Sequence, residues 1–331
     1  MVPCAEKVRF ANSGTESTMT AIRIARGSTK KEKIIKFQGH YHGHHDYLLF
    51  STQHCRFDIC KEPASLGIPK VIGDLLFVEK WNDFEGVEKT IKQHHREIAA
   101  IILEPVMANA TVIPPEPGFL RHLRELCDKY NIVMIFDEVK TGFRLGLGGA
   151  QEMFHVTPDL ATFAKSLGNG YPIACVAGKK EMMSMIRKGG VFHGGTYAAN
   201  PVSLTAANAT LDYLMKKDVY ERIGLHGKRL MKGMEHVLQE QKIRGIGQGY
   251  PSMFNFIFTN KEKIITFNDL KSADFDLFEK IHTPLLREGV MIDEDPEEPM
   301  YLSYSHSNAD VKETLEAFSA VCSRVNVRKK V

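Results

Sequence analysis

The feature that most constrains this chain is an alternation of short apolar runs with stretches of helical periodicity. Ile34-Ile35-Lys36-Phe37, Ile98–Leu103, Ile132–Phe136 and Leu160–Ala164 are runs of strand length. Between the second and third, Phe119, Leu120, Leu123, Leu126, Cys127 and Tyr130 recur at spacings of three and four, which marks one face of a helix. Strand, helix, strand in this order predicts a mostly parallel sheet with right-handed crossovers and helices packed on it. Polar residues stand where the strands end: Asp137-Glu138 after one, Lys165 after the next. In open α/β sheets that edge is where ligands bind.

The pattern changes after about Tyr213. A charged helix over Val219–Gln241, a loosely alternating run at Met253–Phe258, a helix over Asp274–Glu288 and two further strands lead to a last helix. That helix has Asn308 as its expected N-cap and carries Val311, Leu315, Phe318, Cys322 and Val325 on one face. The reading is a large α/β domain over 1–213 and a smaller α/β domain over 214–331, within the usual domain sizes. Residues 1–10 offer little more than one edge strand.

Composition narrows the partners. With 43% hydrophobic and 25% charged residues, the chain is neither disordered nor fibrous, and it is long enough to need no staples. A net charge of +3 is too small to argue for nucleic acid or a membrane surface, and Arg328-Lys329-Lys330 is only a short basic tail. No apolar run nears the ~18 residues of a membrane span, and the start has no signal-peptide pattern. The six cysteines (Cys4, Cys55, Cys60, Cys127, Cys175, Cys322) form no CxxC pair, so neither a zinc ribbon nor a disulfide framework is expected. Cys127 and Cys322 fall on apolar helix stripes as small core residues. A cytoplasmic protein acting on small molecules is the expectation.

Four places carry chemistry. Asn12-Ser13-Gly14-Thr15-Glu16 opens a helix, presenting free N–H groups, two hydroxyls and the positive end of the helix dipole to a phosphate; alone, it reads more readily as a simple N-cap. Gly39-His40-Tyr41-His42-Gly43-His44-His45-Asp46 is rich in histidine but lacks metal-ligand spacing, so no metal is expected and Tyr41 reads as a stacking ring. Asp137, at a strand end, can hold a protonated ring nitrogen. Lys165, between an apolar strand and Gly168-Asn169-Gly170, is expected in the interior with its pKa free to shift, as a Schiff-base lysine requires. Gly146-Leu147-Gly148-Gly149 lacks the third glycine of a dinucleotide fingerprint. Phosphate cradle, stacking aromatic, ring-nitrogen acid and lysine together are the fittings for pyridoxal 5′-phosphate.

The runs NSGTE, YHGH, ILEPV, FDEVKTGFR, K-x-x-G-N-G and HGGTYAANP resemble the class III aminotransferases, in particular the glutamate-1-semialdehyde aminomutase-like branch, from about Val8 to the last helix. Lys165 lies about 28 residues beyond Asp137, as in that family. The resemblance implies the type I fold of pyridoxal-phosphate-dependent transferases. It implies that Lys165 forms the Schiff base and shuttles a proton, and that Asp137 pairs with the ring nitrogen. Val139 and Tyr41 would flank the ring, with His42 beside it. Asn109 would reach the phenolic oxygen. Ser13, Gly14 and Thr15 would hold the phosphate, and Thr196 would complete it across a homodimer interface. Glu104 and Glu298 would lie at the substrate.

The chain departs from the aminomutase pattern in three places. The K-A-G-S-G gate motif has no counterpart in Phe50–Phe57. Asp293–Tyr301 replaces an S-x-F-E-x-G-F pattern, keeping only a glutamate at Glu298. The substantial segment that precedes Val2-Pro3-Cys4 in the family has no counterpart. The expected activity is therefore aminotransfer between an amine or amino acid and an oxo acid. The alternatives are the aminomutase reaction, which forms 5-aminolevulinate within one substrate, and a truncated, cofactor-binding homologue of little activity.

Overall fold

In the computed structural model, residues 1–52, 59–60, 62–216 and 218–327 are described. The basic tail and the stretch Gln53–Phe57, on which the gate comparison rests, lie outside them. The chain divides into two units: Met1–Met107 with Pro115–Met215, and Ala108–Pro114 with Lys216–Val331. The short segment 108–114 thus belongs with the C-terminal part, a crossing that a contiguous 1–213 and 214–331 division does not contain.

The first unit is built on β1 (Lys7–Ala11), α1 (Gly14–Thr29), β2 (Lys33–Phe37), β3 (Leu76–Glu79), α2 (Phe84–His94), β4 (Ile98–Leu103) and α3 (Phe119–Tyr130). It continues through β5 (Val133–Asp137), α4 (Gly149–Phe154), β6 (Leu160–Phe163), β7 (Ala174–Gly178), α5 (Lys180–Met183) and α6 (Pro201–Leu214). The seven-stranded sheet runs β1-β7-β6-β5-β4-β2-β3. From β6 through β3 every neighbouring pair is parallel, and β7 is antiparallel to both β6 and β1. The mostly parallel sheet and the edge placement of β1 are as expected.

Alternate strand residues face opposite layers. Ile34, Ala100, Ile102, Val133, Ile135, Leu160 and Val176 meet Ala21, Ile22, Ile24 and Ala25 of α1 and Met183 of α5. On the other face the Phe37 ring meets Trp81 and Phe119 at the start of α3. Helices covering both faces explain why every residue of β4 and β5 is buried and why these strands read as unbroken apolar runs.

The second unit comprises α7 (Asp218–Glu240), β8 (Ile246–Tyr250), β9 (Met253–Ile257), α8 (Phe275–Arg287), β10 (Met300–Tyr301) and α9 (Asn308–Val327). Its antiparallel sheet is ordered β10-β9-β8. Gln248 donates to the carbonyls of Val112 and Ile264, and Thr111 N–H donates to the Glu297 carbonyl, which ties 108–114 into this unit. Two expectations need correction here. Among the described residues one strand, β10, follows α8 rather than two, because the acidic stretch folds into turns. In them Asp293 and Asp295 side chains accept the N–H groups of Asp295 and Glu297. The N-cap of α9 is Ser307, not Asn308: Ser307 Oγ accepts from Ala309 N–H, and Asp310 Oδ2 accepts from Ser307 N–H at 2.7 Å. Asn308 instead receives Arg229.

Cys4, Cys127, Cys175 and Cys322 are free and buried, as core residues. Cys60 is disulfide-bonded, contrary to expectation; such pairing depends on spatial proximity that sequence spacing does not reveal.

Candidate active site

At the C-terminal end of β5, on the face covered by α1, a cavity of about 190 Å³ is lined by Gly14, Thr15, Tyr41, His42, Gly43, Glu104, Asp137, Val139, Lys140 and Lys165. Eight of the expected site residues therefore converge: Gly14, Thr15, Tyr41, His42, Glu104, Asp137, Val139 and Lys165.

Asp137 is the buried end of β5. Its Oδ1 accepts from Val139 N–H at 3.1 Å and from Thr162 Oγ1 at 3.0 Å, and its Oδ2 lies 2.7 Å from His42 Nδ1. Burial pushes the Asp137 carboxyl up to about 6, against the opposing pull of these donors and of Lys165 and Lys140. Burial, reinforced by the Lys36 charge, holds His42 well below the ordinary histidine range, so the ring is neutral and Nδ1–H donates to the carboxylate. His42 Nε2 is buried without a hydrogen-bond partner among the described residues.

The other histidines of the loop are each engaged. His40 Nδ1 accepts from Glu104 N–H at 3.0 Å, while its ring packs 4.7 Å from Trp81. His44 Nδ1 lies 3.2 Å from Thr15 Oγ1, and His45 Nε2 lies 3.3 Å from Thr18 Oγ1. Among the described residues no three His, Cys, Asp or Glu side chains gather as a metal site. Glu104 Oε1 accepts from Tyr41 N–H at 2.9 Å, and so fixes the main chain at Tyr41.

The first turn of α1 closes the cavity. Ser13 Oγ accepts from Glu16 N–H, and Glu16 Oε2 accepts from the N–H groups of Asn12 and Ser13, forming a capping box. Ser13 is thus committed to capping and does not line the cavity. Gly14 and Thr15 present the next N–H groups at the positive helix end. A Cβ at Gly14 would stand 3.0 Å from Val139 Cγ2, so the Val139 side chain would have to give by a few tenths of an ångström. At Gly43, φ is +93° and a Cβ would fall 2.5 Å from Thr15 Oγ1. Only glycine lets the histidine loop meet α1 this closely.

Lys165 opens a short 3₁₀ turn after β6 with φ +42°, a left-handed conformation that a non-glycine residue holds only when its surroundings impose it. The expectation of an interior lysine is corrected: Lys165 is exposed, because the turn carries it beyond the last buried strand residue, and it faces the cavity from the rim. Its charge nonetheless acts on Asp137. Two contributors escaped the sequence reading. Thr162 pairs with Asp137 in the β5–β6 register, which strand alignment alone would have suggested. Lys140 lines the cavity from the same turn as Val139 and carried no separate signal.

Besides Ser13, three expected residues are not among the cavity-lining set. Asn109 and Glu298 belong to the second unit, where Glu298 Oε1 receives the Tyr301 hydroxyl at 3.4 Å. Thr196 is exposed on the segment before α6.

A mostly parallel sheet with a lysine, a buried aspartate and a helix N-terminus meeting at its ligand edge defines a class of enzymes that handle a phosphorylated ring cofactor. The model of the class-III aminotransferases matches residues 1–322, and the chain belongs to that family. It is 45% identical over 327 residues to the glutamate-1-semialdehyde 2,1-aminomutase of Sulfurisphaera tokodaii, covering 98% of this chain and 77% of that protein. Among solved structures, an omega-transaminase from Sphaerobacter thermophilus superposes with a TM-score of 0.90 at 34% identity, covering 97% of this chain and 75% of the other. A transaminase with pyridoxal phosphate bound superposes with a TM-score of 0.88 at 27% identity, covering 100% of this chain and 76% of the other. The fold is the type I fold expected, and the chain is a family enzyme. No helix among the described residues is long and apolar enough to cross a membrane.

Proposed function

We propose that the cavity binds pyridoxal 5′-phosphate and that the chain transfers an amino group between an amine or amino acid and an oxo acid. The observation that carries this reading is the convergence of Lys165, Asp137 and the α1 N-terminus on one cavity. The residues fit the group. Asp137 is a buried carboxyl whose ionised form lacks, among the described residues, a cationic partner of comparable burial, which a protonated ring nitrogen would supply. Gly14 and Thr15 offer N–H groups to a phosphate, and Val139 and Tyr41 flank the space between. When bound, the cofactor supplies an electron sink for the carbon that loses its proton.

The chain's own residues do the rest. Asp137 keeps a proton on the ring nitrogen, and His42 Nδ1–H holds the carboxylate oriented. Lys165 Nζ provides the amine that captures the cofactor and then moves a proton to and from the substrate carbon. Glu104 fixes Tyr41 through its N–H. Asn109 toward the phenolic oxygen, Thr196 toward a neighbouring subunit's phosphate and Glu298 toward substrate complete the proposal, with a homodimer as the working form.

A second reading is intramolecular amino transfer on glutamate-1-semialdehyde, favoured by the 45% identity to the Sulfurisphaera tokodaii enzyme. The visible absorbance of purified protein with pyridoxal phosphate, before and after borohydride, tests the cofactor claim. Borohydride should fix the label onto Lys165, and Lys165→Ala should lose both band and label; a folded parent without a band would overturn the proposal. Product analysis then separates the readings, because only the aminotransferase needs an oxo-acid acceptor.

A further inference from the structure

One buried lysine, outside the cavity lining, has no part in the scheme above. Lys36 lies within β2 and is fully buried. Lysines are almost never buried this way without an acidic partner. Here the hydrogen-bond acceptors are three main-chain carbonyls: His40 at 3.0 Å, Leu48 at 3.1 Å, and Phe50. They sit at the two ends of the loop that carries Tyr41 and His42. An ammonium has three donors and no acceptor, so it satisfies all three carbonyls at once.

We infer that Lys36 is a positioning residue of the amino-transfer site, drawing both ends of the 40–50 loop together so that Tyr41 and His42 stand in the cavity. The inference rests on the proposed cofactor reading. Consecutive loop residues are held by different elements. The His40 carbonyl is bound by Lys36, Tyr41 N–H by Glu104, the His42 carbonyl by Thr18 Oγ1 at 2.6 Å, and the His42 ring by Asp137. Lys36 binds both ends, alongside the main-chain bond from Gly39 N–H to the Ser51 carbonyl at 3.0 Å. Burial pulls the Lys36 ammonium down to about 7, and the opposing charge is that of Glu104, which itself lines the cavity. A buried cation is a poor source of stability compared with an apolar side chain of similar length. Its use here is to impose one loop geometry.

The experiment compares hydrogen–deuterium exchange of ligand-free parent and Lys36→Met, then titrates both with pyridoxal phosphate while following the circular dichroism of the visible band. Exchange in the 38–50 peptide should rise at least ten-fold while peptides from β4 and β5 stay protected. Cofactor affinity should fall at least ten-fold, with a weakened dichroic band. Lys36→Gln, which keeps two donors, should fall between and serves if the methionine variant does not fold. Unchanged 38–50 exchange, or a rise spread equally over the sheet, overturns the inference. Exchange is read without cofactor, so failure of the parent to bind pyridoxal phosphate counts against the proposed function and leaves the loop measurement to decide this point.

Discussion

Asp137 shows how function and stability oppose each other at one residue. Its carboxyl is raised from 3.8 to about 6, chiefly by burial. A raised carboxyl binds its proton more tightly in the folded than in the unfolded chain, so the folded state is penalised once both forms are ionised. The cost is absent below about pH 4, grows as pH climbs toward 6 and is complete above that. Ligand-free Asp137→Asn should therefore be more stable than the parent at pH 7.5 by about 3 kcal/mol, and equal to it near pH 4. His42 can change tautomer to meet the amide nitrogen. Urea denaturation at the two pH values measures this, and an equal difference at both would refute the account. The same variant should lose most cofactor affinity and at least about a hundred-fold in turnover, since a neutral amide cannot hold the ring proton.

At the scale of elements, the site depends on a loop meeting a helix end. Thr18 and Thr15 of α1 bond the loop at the His42 carbonyl and the His44 ring, and Gly43 lies between them with positive φ. Gly43→Ala would place a methyl group 2.7 Å from the Thr15 Cα, a main-chain atom that cannot swing aside. The expected result is a loss of about 1–3 kcal/mol in ligand-free stability and weaker cofactor retention, read by thermal unfolding and spectral titration. A stable variant with parental affinity would show that the loop and helix separate without cost. Some of this arrangement is legible in the chain: Gly14-Thr15 and Tyr41-His42 both stand out as ligand-facing. Their mutual contact is not, because residues far apart in sequence are brought together by β2 and α1 packing on one sheet.

For the whole molecule, the proposal predicts self-association. If Thr196 completes the phosphate site of a neighbouring subunit, sedimentation velocity should show a dimer that cofactor strengthens, and Thr196→Ala should lower affinity without changing the visible band. A monomer holding the cofactor as tightly as a dimer would contradict this. The division into two units belongs to the same scale. Segment 108–114 follows β4 in sequence yet bonds to Gln248 and Glu297, and no local pattern in those seven residues signals that destination.

The sequence by itself determined the strands β2, β4, β5 and β6 with α3 between β4 and β5, and the placing of Asp137 and Lys165 just after neighbouring strands. These are local matters: apolar periodicity, strand-end polarity and motif spacing survive without any knowledge of distant contacts. Only the tertiary structure decided the rest. It placed Lys165 at the rim rather than the interior, made Ser307 rather than Asn308 the N-cap of α9, and joined His42 to Asp137 across 95 residues of chain. The reason is that a side chain's burial and hydrogen-bond partner depend on what lies opposite it, and for these residues that neighbour comes either from a different strand or from a competing cap one residue away.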